Sequence, residues 1–310
     1  MAVVIDGKEI AGKKREEAAV RAAALRALGI VPCLAVVLVG EDPASVSYVT
    51  GKEKALAAAG MESLDIRLPR DTGEKALLAR IAALNADPSV HGILVQLPLP
   101  PQIREDAVIT AIDPAKDVDG FHPVSVGNMV LGRPGFLPCT PHGVLVLLDE
   151  MKIPTAGAHA VVLGRSNIVG KPLASLLARR EVNATVTVCH TGSGDPGRYT
   201  RQADILIAAA GKPGLVTVDM VKEGVVVIDV GVSRVEDCSA KNGYRLKGDV
   251  DFERVAEKAS YITPVPGGVG PMTIAMLLLN VIAAAEGRAA VEARAAVEAR
   301  AAAGPGSVHG

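Results

Sequence analysis

Short continuous apolar segments alternate with longer Ala- and Leu-rich segments through the first hundred residues. The apolar segments predict strands and the longer segments predict helices, because a strand buried on both faces needs no polar alternation. The predicted elements are a helix over 13–28, a strand over 33–39, a helix over 43–59, a strand over 64–68, a helix over 73–85 and a strand over 91–96. Strands separated by helices long enough to cross over form a parallel sheet.

The same alternation resumes after a helix predicted from Thr140 to about Met151, which we interpret as the hinge between two halves. The second half predicts strands over 158–163, 184–189, 204–208 and 225–229, and helices over 171–180, 252–259 and 272–285. A chain of 310 residues exceeds the usual size of one domain, so we expect two α/β domains, each with its own core.

Composition excludes several classes of protein. The 33 basic and 34 acidic residues give a net charge of -1, which argues against a general electrostatic contact with nucleic acid. Cys33, Cys139, Cys189 and Cys238 are scattered, so neither a disulfide framework nor a zinc site is indicated. Residues 1–7 are too short and wrongly flanked for a signal peptide, and we expect no apolar run of membrane-spanning length. We therefore expect a cytoplasmic protein without nucleic-acid or membrane partners.

Tyr48 and Lys52 lie four residues apart on the helix predicted after Pro43, so their side chains share one face. Asp42 predicts the start of this helix, because a carboxylate caps free N–H groups and proline suits the first turn. A lysine partly removed from water there could exchange protons near neutral pH, and the tyrosine ring could stack on a flat ligand. A solvated lysine on a surface helix is the alternative.

Gln96 stands at the end of the strand predicted over 91–96, before Leu97-Pro98-Leu99-Pro100-Pro101. The prolines end the strand, because each fixes its φ angle and lacks an N–H donor. The neutral amide of Gln96 could orient a water or hold the Lys52 amine without adding a charge. A strand-end amide satisfied by its neighbours is the alternative.

Asp117 and Asp119 lie two residues apart in the polar loop 113–123, so in an extended segment their side chains face the same way. A carboxylate here could accept two parallel hydrogen bonds from a flat amidine-like edge, as it does from arginine. Metal binding is disfavoured, because no His or Cys cluster completes a site and the calcium-loop glutamate is missing from its offset. Turn capping is the alternative, in particular for Asp117.

A glycine motif, Gly164-Arg165-Ser166-Asn167-Ile168-Val169-Gly170, lies between the predicted strand 158–163 and the predicted helix 171–180. The spacing is that of a dinucleotide fingerprint in which Ser166 replaces the middle glycine. The first glycine permits a tight turn, the last permits close helix–sheet packing, and N–H groups at the helix start are available to phosphate.

The strand predicted over 184–189 is followed by His190-Thr191-Gly192-Ser193, where an NAD enzyme commonly has Asp or Glu. Without a carboxylate to repel it, a ribose phosphate is tolerated there, so we predict NADP as the cofactor. The residues that could hold this phosphate are Arg165, Ser166, Thr191 and Ser193. A salt bridge from Arg165 to a neighbouring acid is the alternative.

The loop 263–273 is rich in glycine and proline and leads into an apolar helix, which suits it to line a cleft between two domains. Beyond it, Ala-Ala-Val-Glu-Ala-Arg repeats at 289–294 and 295–300. We predict a solvated helical extension there and a disordered tail over 301–310, and assign neither any chemistry.

Five motifs occur together in the order and spacing of one family. They are Tyr48-x-x-x-Lys52, Val95-Gln96-Leu97-Pro98-Leu99-Pro100, Lys116-Asp117-Val118-Asp119-Gly120, Gly164-Arg165-Ser166-x-x-Val169-Gly170 and Pro264-Val265-Pro266-Gly267-Gly268-Val269-Gly270-Pro271-Met272-Thr273. On these motifs the chain resembles the methylenetetrahydrofolate dehydrogenase/cyclohydrolase family, FolD type, from about Val3 to Gly287.

The resemblance implies an N-terminal α/β catalytic domain with a parallel sheet, a Rossmann-type NADP-binding domain, and an active site in the cleft between them. It assigns 1–143 and 271–300 to the folate-binding catalytic domain and 144–270 to the NADP-binding domain. It also implies two consecutive reactions, oxidation of methylenetetrahydrofolate to the methenyl cation by NADP⁺ and hydrolysis of that cation to 10-formyltetrahydrofolate, in a protein that forms homodimers.

The resemblance also assigns roles to residues. Lys52 is the acid/base of the second step, Gln96 positions it, Tyr48 stacks on the folate, and Asp119 binds the amino edge of the pterin. Further substrate positions are Pro264, Gly267, Gly268 and Pro271. The cofactor positions are Gly164, Arg165, Ser166, Ile168, Gly170, Thr191, Ser193 and Val232.

Two departures from the family pattern bear on activity. Gly51 lies beside Lys52 and bears on the cyclohydrolase rate, and the segment 191–194 bears on the cofactor preference. The alternatives are a dehydrogenase without cyclohydrolase activity, a relative of shikimate or amino-acid dehydrogenases, and a non-catalytic NADP-binding or scaffold protein.

Overall fold

The structure is a computed structural model that describes residues 2–240 and 243–302. In chain order its elements are β1 (Val3–Val4), α1 (Gly7–Ala27), β2 (Cys33–Val39), α2 (Pro43–Ala58), β3 (Glu62–Leu68), α3 (Glu74–Ala86), β4 (Gly92–Val95), α4 (Glu105–Ala111), α5 (Pro123–Val130), α6 (Cys139–Glu150), β5 (His159–Leu163), α7 (Gly170–Leu177), β6 (Thr185–Cys189), α8 (Gly197–Thr200), β7 (Ile205–Ala208), a 3₁₀ turn (Val218–Met220), β8 (Val226–Asp229), β9 (Ser233–Glu236), β10 (Tyr244–Lys247), α9 (Phe252–Val255), β11 (Tyr261–Ile262) and α10 (Val269–Ala302).

The chain divides into two compact units. One contains Glu16–Val118 and the described residues from Leu278 onward, and we call it the three-stranded unit after its sheet. The other contains Asp119–Leu277 and the described residues up to Arg15, and we call it the six-stranded unit. The predicted domain limits differ, because they assign residues 1–15, 119–143 and 271–277 to the catalytic domain. Domain limits defined by ligand binding stay a prediction.

The three-stranded unit has a parallel sheet in the order β3-β2-β4. Every residue of β2 is buried, as expected for a central strand of a covered parallel sheet. One face packs against Leu77, Ile81 and Leu84, which recur at helical spacing along α3. The ends of β2 and β4 lie at the same sheet edge, because Val37 pairs with Val95.

The six-stranded unit has a parallel sheet in the order β1-β11-β8-β7-β5-β6. β5 has β6 on one side and β7 on the other, so the order of strands reverses between β5 and β7. Such a reversal is where doubly wound sheets bind dinucleotides, at the carboxyl ends of the strands. β9 and β10 form a separate antiparallel hairpin.

Some boundaries differ from the sequence-based prediction. α1 begins at Gly7 rather than at residue 13, because Asp6 Oδ1 accepts hydrogen bonds from the N–H groups of Lys8 and Glu9 and so caps an earlier turn. α10 is one helix from Val269 to Ala302 and includes the predicted extension. Residues 303–310 of the predicted tail lie outside the described residues.

The expectation that no segment reaches membrane-spanning length was wrong. The segment Val269–Val291 of α10 is 23 residues long with a mean hydropathy of 1.7, enough to cross a membrane by length and composition. However, 61 % of that apolar window is buried within the protein, and core helices of soluble proteins pass the same test. The apolarity of α10 is therefore weak support for a membrane span.

Candidate active site

Lys52 and Gln96 meet at the carboxyl edge of the three-stranded sheet. The Nζ atom of Lys52, on α2, donates a hydrogen bond of 3.1 Å to the Oε1 atom of Gln96, directly after β4. Both side chains are half-buried. The predicted pairing of a lysine with a neutral strand-end amide is therefore present in the structure.

Gln96 is held in one orientation by hydrogen bonds of both its backbone and its side chain. Its backbone N–H donates to the carbonyl oxygen of Val37 at 2.8 Å, which extends the β2–β4 pairing by one residue. Its side-chain Nε2 donates to the carbonyl oxygen of Leu97 at 2.7 Å. Because the Nε2 group is engaged there, the Oε1 atom must face Lys52. The amide therefore acts as a fixed acceptor.

Tyr48 lies one helical turn before Lys52 on α2, and half of its surface, 50 %, is exposed. The helix starts as predicted, with Pro43 as its first residue and Asp42 accepting a hydrogen bond of 2.8 Å from the N–H of Ser45. An exposed ring beside the half-buried lysine is available for stacking on a flat ligand.

Asp119 is half-buried at the end of the polar loop that follows α4. The residues before it are firmly held: Lys116 and Asp117 are 8 % and 2 % exposed. The Nζ atom of Lys116 donates to the carbonyl oxygens of Leu84 and Asp87, at 2.8 Å and 2.7 Å. Sequence reasoning missed this anchoring role of Lys116, because a lysine in a polar loop is usually solvated.

The glycine-rich loop after β11 is closely packed within the six-stranded unit. Gly268 donates its N–H to the carbonyl oxygen of Pro264 at 2.8 Å, and Gly267 has a φ of +116°, which favours glycine. A Cβ atom at Gly7 would collide with the carbonyl oxygen of Gly268. Pro271 is half-buried on the first turn of α10. The predicted substrate positions of this loop thus form one rigid turn.

The fingerprint motif forms the expected tight turn between β5 and α7. A Cβ atom at Gly164 would collide with the carbonyl oxygen of Ala209, and one at Gly170 with the carbonyl oxygen of Gly164. The Ser166 Oγ atom accepts hydrogen bonds from the N–H groups of Val169 and Gly170, so this serine fixes the turn before α7. Glycine is required at positions 164 and 170, because at both of them a side chain would collide with the backbone.

The same turn presents donors to a possible phosphate. The backbone N–H groups of Ser166, Asn167 and Ile168 donate no hydrogen bond within the described residues. Ile168 is 39 % exposed beside them. Unengaged N–H groups before a helix are what a pyrophosphate requires, so the residues present fit a dinucleotide.

Arg165 lies beside the turn that follows β6. Its Nη1 atom is 3.4 Å from Nε2 of His190, and the His190 N–H donates to Oγ of Ser193 at 3.0 Å. The two turns adjoin because Leu163 pairs with Cys189 in the sheet. Arg165 and Thr191 are exposed and Ser193 is half-buried. The sequence-based list of cofactor residues did not include His190, although its position directly after a strand was a usable signal.

Val232 is 41 % exposed and follows β8. The N–H of the preceding Gly231 donates to the carboxylate of Asp229 at 3.0 Å. The described residues contain no group of three or more His, Cys, Asp and Glu side chains that could hold a metal ion.

The comparisons with known proteins agree with this geometry. Residues 5–119 match the family model described as "Tetrahydrofolate dehydrogenase/cyclohydrolase, catalytic domain". Residues 138–289 match the model described as "Tetrahydrofolate dehydrogenase/cyclohydrolase, NAD(P)-binding domain".

Similar proteins cover almost the whole chain. "Bifunctional protein FolD" of Exiguobacterium sibiricum is 60% identical over 286 residues, which are 92% of this chain and 100% of the relative. The crystal structure of the bifunctional FolD enzyme from Campylobacter jejuni has a TM-score of 0.88 and 51% identity, and covers 93% of this chain and 100% of its own.

A third similar structure carries a ligand. The FolD enzyme of Trypanosoma brucei, complexed with NADP cofactor and inhibitor, has a TM-score of 0.89 and 41% identity, and covers 93% of this chain and 98% of its own. The predicted two-domain α/β fold with an NAD(P)-binding domain is confirmed. The chain therefore belongs to the tetrahydrofolate dehydrogenase/cyclohydrolase family.

Proposed function

We propose that this chain catalyses two consecutive reactions of one-carbon folate chemistry. The first is NADP-dependent oxidation of 5,10-methylenetetrahydrofolate to 5,10-methenyltetrahydrofolate, and the second is hydrolysis of that cation to 10-formyltetrahydrofolate. The observation that carries this proposal is the hydrogen bond of Lys52 to a fixed amide oxygen of Gln96. Membership of a family described by both activities supports it.

Lys52 is the acid/base of the hydrolytic step. Water attacks the methenyl carbon, a C–O bond forms, and the neutral Lys52 amine takes a proton from that water. The C–N bond then breaks, the departing nitrogen receives the proton back from Lys52, and the remaining hydroxyl proton leaves to solvent as the formyl group forms. Gln96 accepts a hydrogen bond from Lys52 and contributes no charge, so it orients the amine without forming an ion pair with it.

The oxidative step depends on positioning. NADP⁺, when bound, accepts a hydride, and the protein holds the two rings together and excludes water. The fingerprint turn holds the pyrophosphate through its unengaged N–H groups, and Arg165 holds the ribose phosphate with Thr191 and Ser193. The remaining positions proposed to contact the cofactor are Gly164, Ser166, Ile168, Gly170 and Val232.

The folate is held by groups of complementary shape. The exposed Tyr48 ring stacks on it, and the Asp119 carboxylate accepts paired hydrogen bonds from the amino edge of the pterin. The rigid turn containing Pro264, Gly267, Gly268 and Pro271 lines the substrate position. Support for these roles comes from the exposure of Tyr48 and the close packing of the loop.

The test mixes the purified chain with methylenetetrahydrofolate and NADP⁺ and records the ultraviolet spectrum over time, with NAD⁺ in parallel. We expect NADPH to rise while the enzyme speeds methenyl decay beyond a blank without protein. Methenyl that accumulates and decays only at the blank rate would indicate a dehydrogenase alone. Absence of NADPH would contradict the folate assignment and favour a relative of another dehydrogenase class or a scaffold.

We also propose that the protein acts in the cytoplasm as a homodimer, without nucleic-acid or membrane partners. The near balance of 33 basic and 34 acidic residues supports the absence of a nucleic-acid partner. Light scattering coupled to size-exclusion chromatography measures the mass directly. A mass of one chain, 31.8 kDa, at micromolar concentration would contradict the homodimer.

A further inference from the structure

Two buried aspartates lie at the carboxyl edge of the six-stranded sheet, outside the residues assigned above. Asp229 ends β8 and is 3 % exposed, whereas Asp249 follows β10 and is completely buried. Aspartate is rarely so deeply buried unless its oxygens are hydrogen-bonded, because removing a charge from water is costly. The contacts of each carboxylate therefore indicate what it is buried for.

Asp249 holds the turn that follows β7. Its Oδ2 atom accepts hydrogen bonds from the backbone N–H groups of Ala210 and Gly211, at 2.6 Å and 2.9 Å. Gly211 has a φ of +67°, so the chain reverses sharply there. The Oδ1 atom has no hydrogen-bond partner among the described residues and lies against Gly231. The carboxylate is thus committed to this one turn.

Asp229 in turn fixes the backbone around Asp249. Its oxygens accept hydrogen bonds from the N–H groups of Gly231 and Asp249, both at 3.0 Å, and of Val250 at 2.9 Å. Burial raises the pKa of Asp229 to about 6, and the charge of Asp249 adds to this, while the three backbone hydrogen bonds oppose it. The pair therefore joins the turns after β7 and β8 in one network.

The position of these turns relates the network to the cofactor. The fingerprint turn follows β5, and the proposed ribose-phosphate site follows β6 on one side of it. A dinucleotide bound across the strand reversal must extend its other half over β7 and β8. The turn after β7 already contacts the fingerprint turn, because a Cβ atom at Gly164 would collide with the carbonyl oxygen of Ala209.

We infer that Asp249 is a positioning residue for NADP: it holds the turn after β7 in the shape that receives the nicotinamide half of the cofactor. The inference rests on the proposed NADP binding at the fingerprint turn. Loss of the carboxylate would remove the shared acceptor of the Ala210 and Gly211 N–H groups and let the turn move.

The test compares Asp249→Ala and Asp249→Asn with the wild type. Isothermal titration calorimetry measures the Kd of NADP⁺ without folate, and a separate assay measures hydrolysis of methenyltetrahydrofolate without cofactor. We expect the Kd to rise about tenfold or more in Asp249→Ala and about threefold in Asp249→Asn, which keeps an uncharged acceptor oxygen. Hydrolysis should stay within about twofold of wild type, because its catalytic lysine lies in the three-stranded unit.

Asp204→Ala is the matched control. Asp204 precedes β7 at the opposite edge of the same sheet, and its carboxylate also accepts a backbone N–H, that of His159, at 2.8 Å. The Kd of the Asp204→Ala variant for NADP⁺ should stay within about twofold of wild type.

Three results would overturn the inference. They are an unchanged Kd in the Asp249 variants, a parallel loss of NADP⁺ binding and hydrolysis, and an equal rise of the Kd in Asp204→Ala. If Asp249→Ala fails to fold by circular dichroism, Asp249→Asn decides alone, and an unchanged Kd contradicts the inference. Wild-type protein that binds no NADP⁺ would instead refute the proposed function, and the inference with it.

Discussion

Lys52 and Lys116 belong to the same compact unit but differ in what surrounds their ammonium groups. Lys116 is 8 % exposed and donates to two backbone carbonyl oxygens, those of Leu84 and Asp87, where α3 ends. Lys52 is half-buried and donates to one neutral side-chain oxygen, that of Gln96. A lysine bound to fixed backbone acceptors stabilises structure, whereas one with a single neutral partner can give and take protons.

Burial sharpens the contrast. It lowers the pKa of Lys116, and the charge of Arg288 lowers it further, while Asp113 and Asp87 raise it. Despite that lowered pKa, Lys116 is a poor catalyst, because both of its described contacts are to immobile carbonyls within the protein. Lys52, the lysine proposed to act in hydrolysis, is distinguished by having one neutral side-chain acceptor in place of two backbone carbonyls.

Replacing Lys52 should have the largest effect. Lys52→Met removes the proton carrier, so we expect hydrolysis of methenyltetrahydrofolate to fall about 10²- to 10⁴-fold, the usual contribution of general acid–base catalysis. Folate binding should be largely kept, because Tyr48 and Asp119 remain. Stopped-flow absorbance of methenyl decay measures the rate, and fluorescence titration measures binding.

Lys54→Met is the control for that experiment. Lys54 is exposed on the same helix two residues further on, so its loss should leave both activities within about twofold of wild type. Equal hydrolysis in Lys52→Met and wild type would refute the role of Lys52 and leave a dehydrogenase whose lysine is structural.

The contact between Lys52 and Gln96 was predictable because each partner has a local signal. Helical spacing placed Tyr48 and Lys52 on one face, and the prolines after Gln96 ended its strand at the sheet edge. Neighbouring parallel strands share that edge, so the side chains had to come close. Most strands were predicted within one or two residues for the same reason, because buried parallel strands are continuous apolar runs.

The anchoring residues were not predictable, because their partners are remote in sequence. Lys116 bonds to a residue 32 positions earlier, and Asp249 bonds to one 39 positions earlier. Lysine and aspartate are usually exposed, so their burial follows from tertiary packing that no local pattern contains. The early start of α1 is different, because Asp6 is a capping residue that the Ala-rich pattern from Lys13 onward obscured.

Replacing Lys116 should lower the stability of the protein and leave hydrolysis nearly unchanged, whereas Lys52→Met should mainly lower hydrolysis. Lys116→Met removes the ammonium donor from two carbonyl oxygens, each of which keeps one longer backbone hydrogen bond of 3.3 Å, so we expect the protein to lose roughly 1–3 kcal/mol of unfolding free energy. Hydrolysis by the folded protein should keep its kcat within about twofold. Urea unfolding followed by circular dichroism measures the first quantity. A kcat that falls as far as in Lys52→Met would break the distinction between the two lysines.

Charging the partner of Lys52 tests why that partner is neutral. Gln96→Glu places a carboxylate where Oε1 lies 3.1 Å from Nζ, which holds Lys52 as an ammonium and withholds the base. We expect hydrolysis to slow about tenfold, equivalent to about 1.4 kcal/mol, and to recover partly as the pH rises. Gln96→Leu, which adds no charge, should not show that recovery, and a pH profile equal to wild type in Gln96→Glu would contradict the argument.

The smallest expected effect is the pH dependence that Lys116 gives to stability. Its pKa in the folded protein lies below the ordinary value of 10.5, so at pH values between the two the unfolded chain binds more protons than the folded chain. Stability from this group therefore rises with pH in that window, by less than about 1.4 kcal/mol per pH unit, and is level below it. Lys116→Met lacks the titrating group, so the gap between wild type and this variant should widen from pH 8 toward pH 10. Urea titrations across that range measure the difference in unfolding free energy between the two proteins. If that difference narrows as the pH rises, Lys116 is better solvated in the folded protein than its two carbonyl contacts imply.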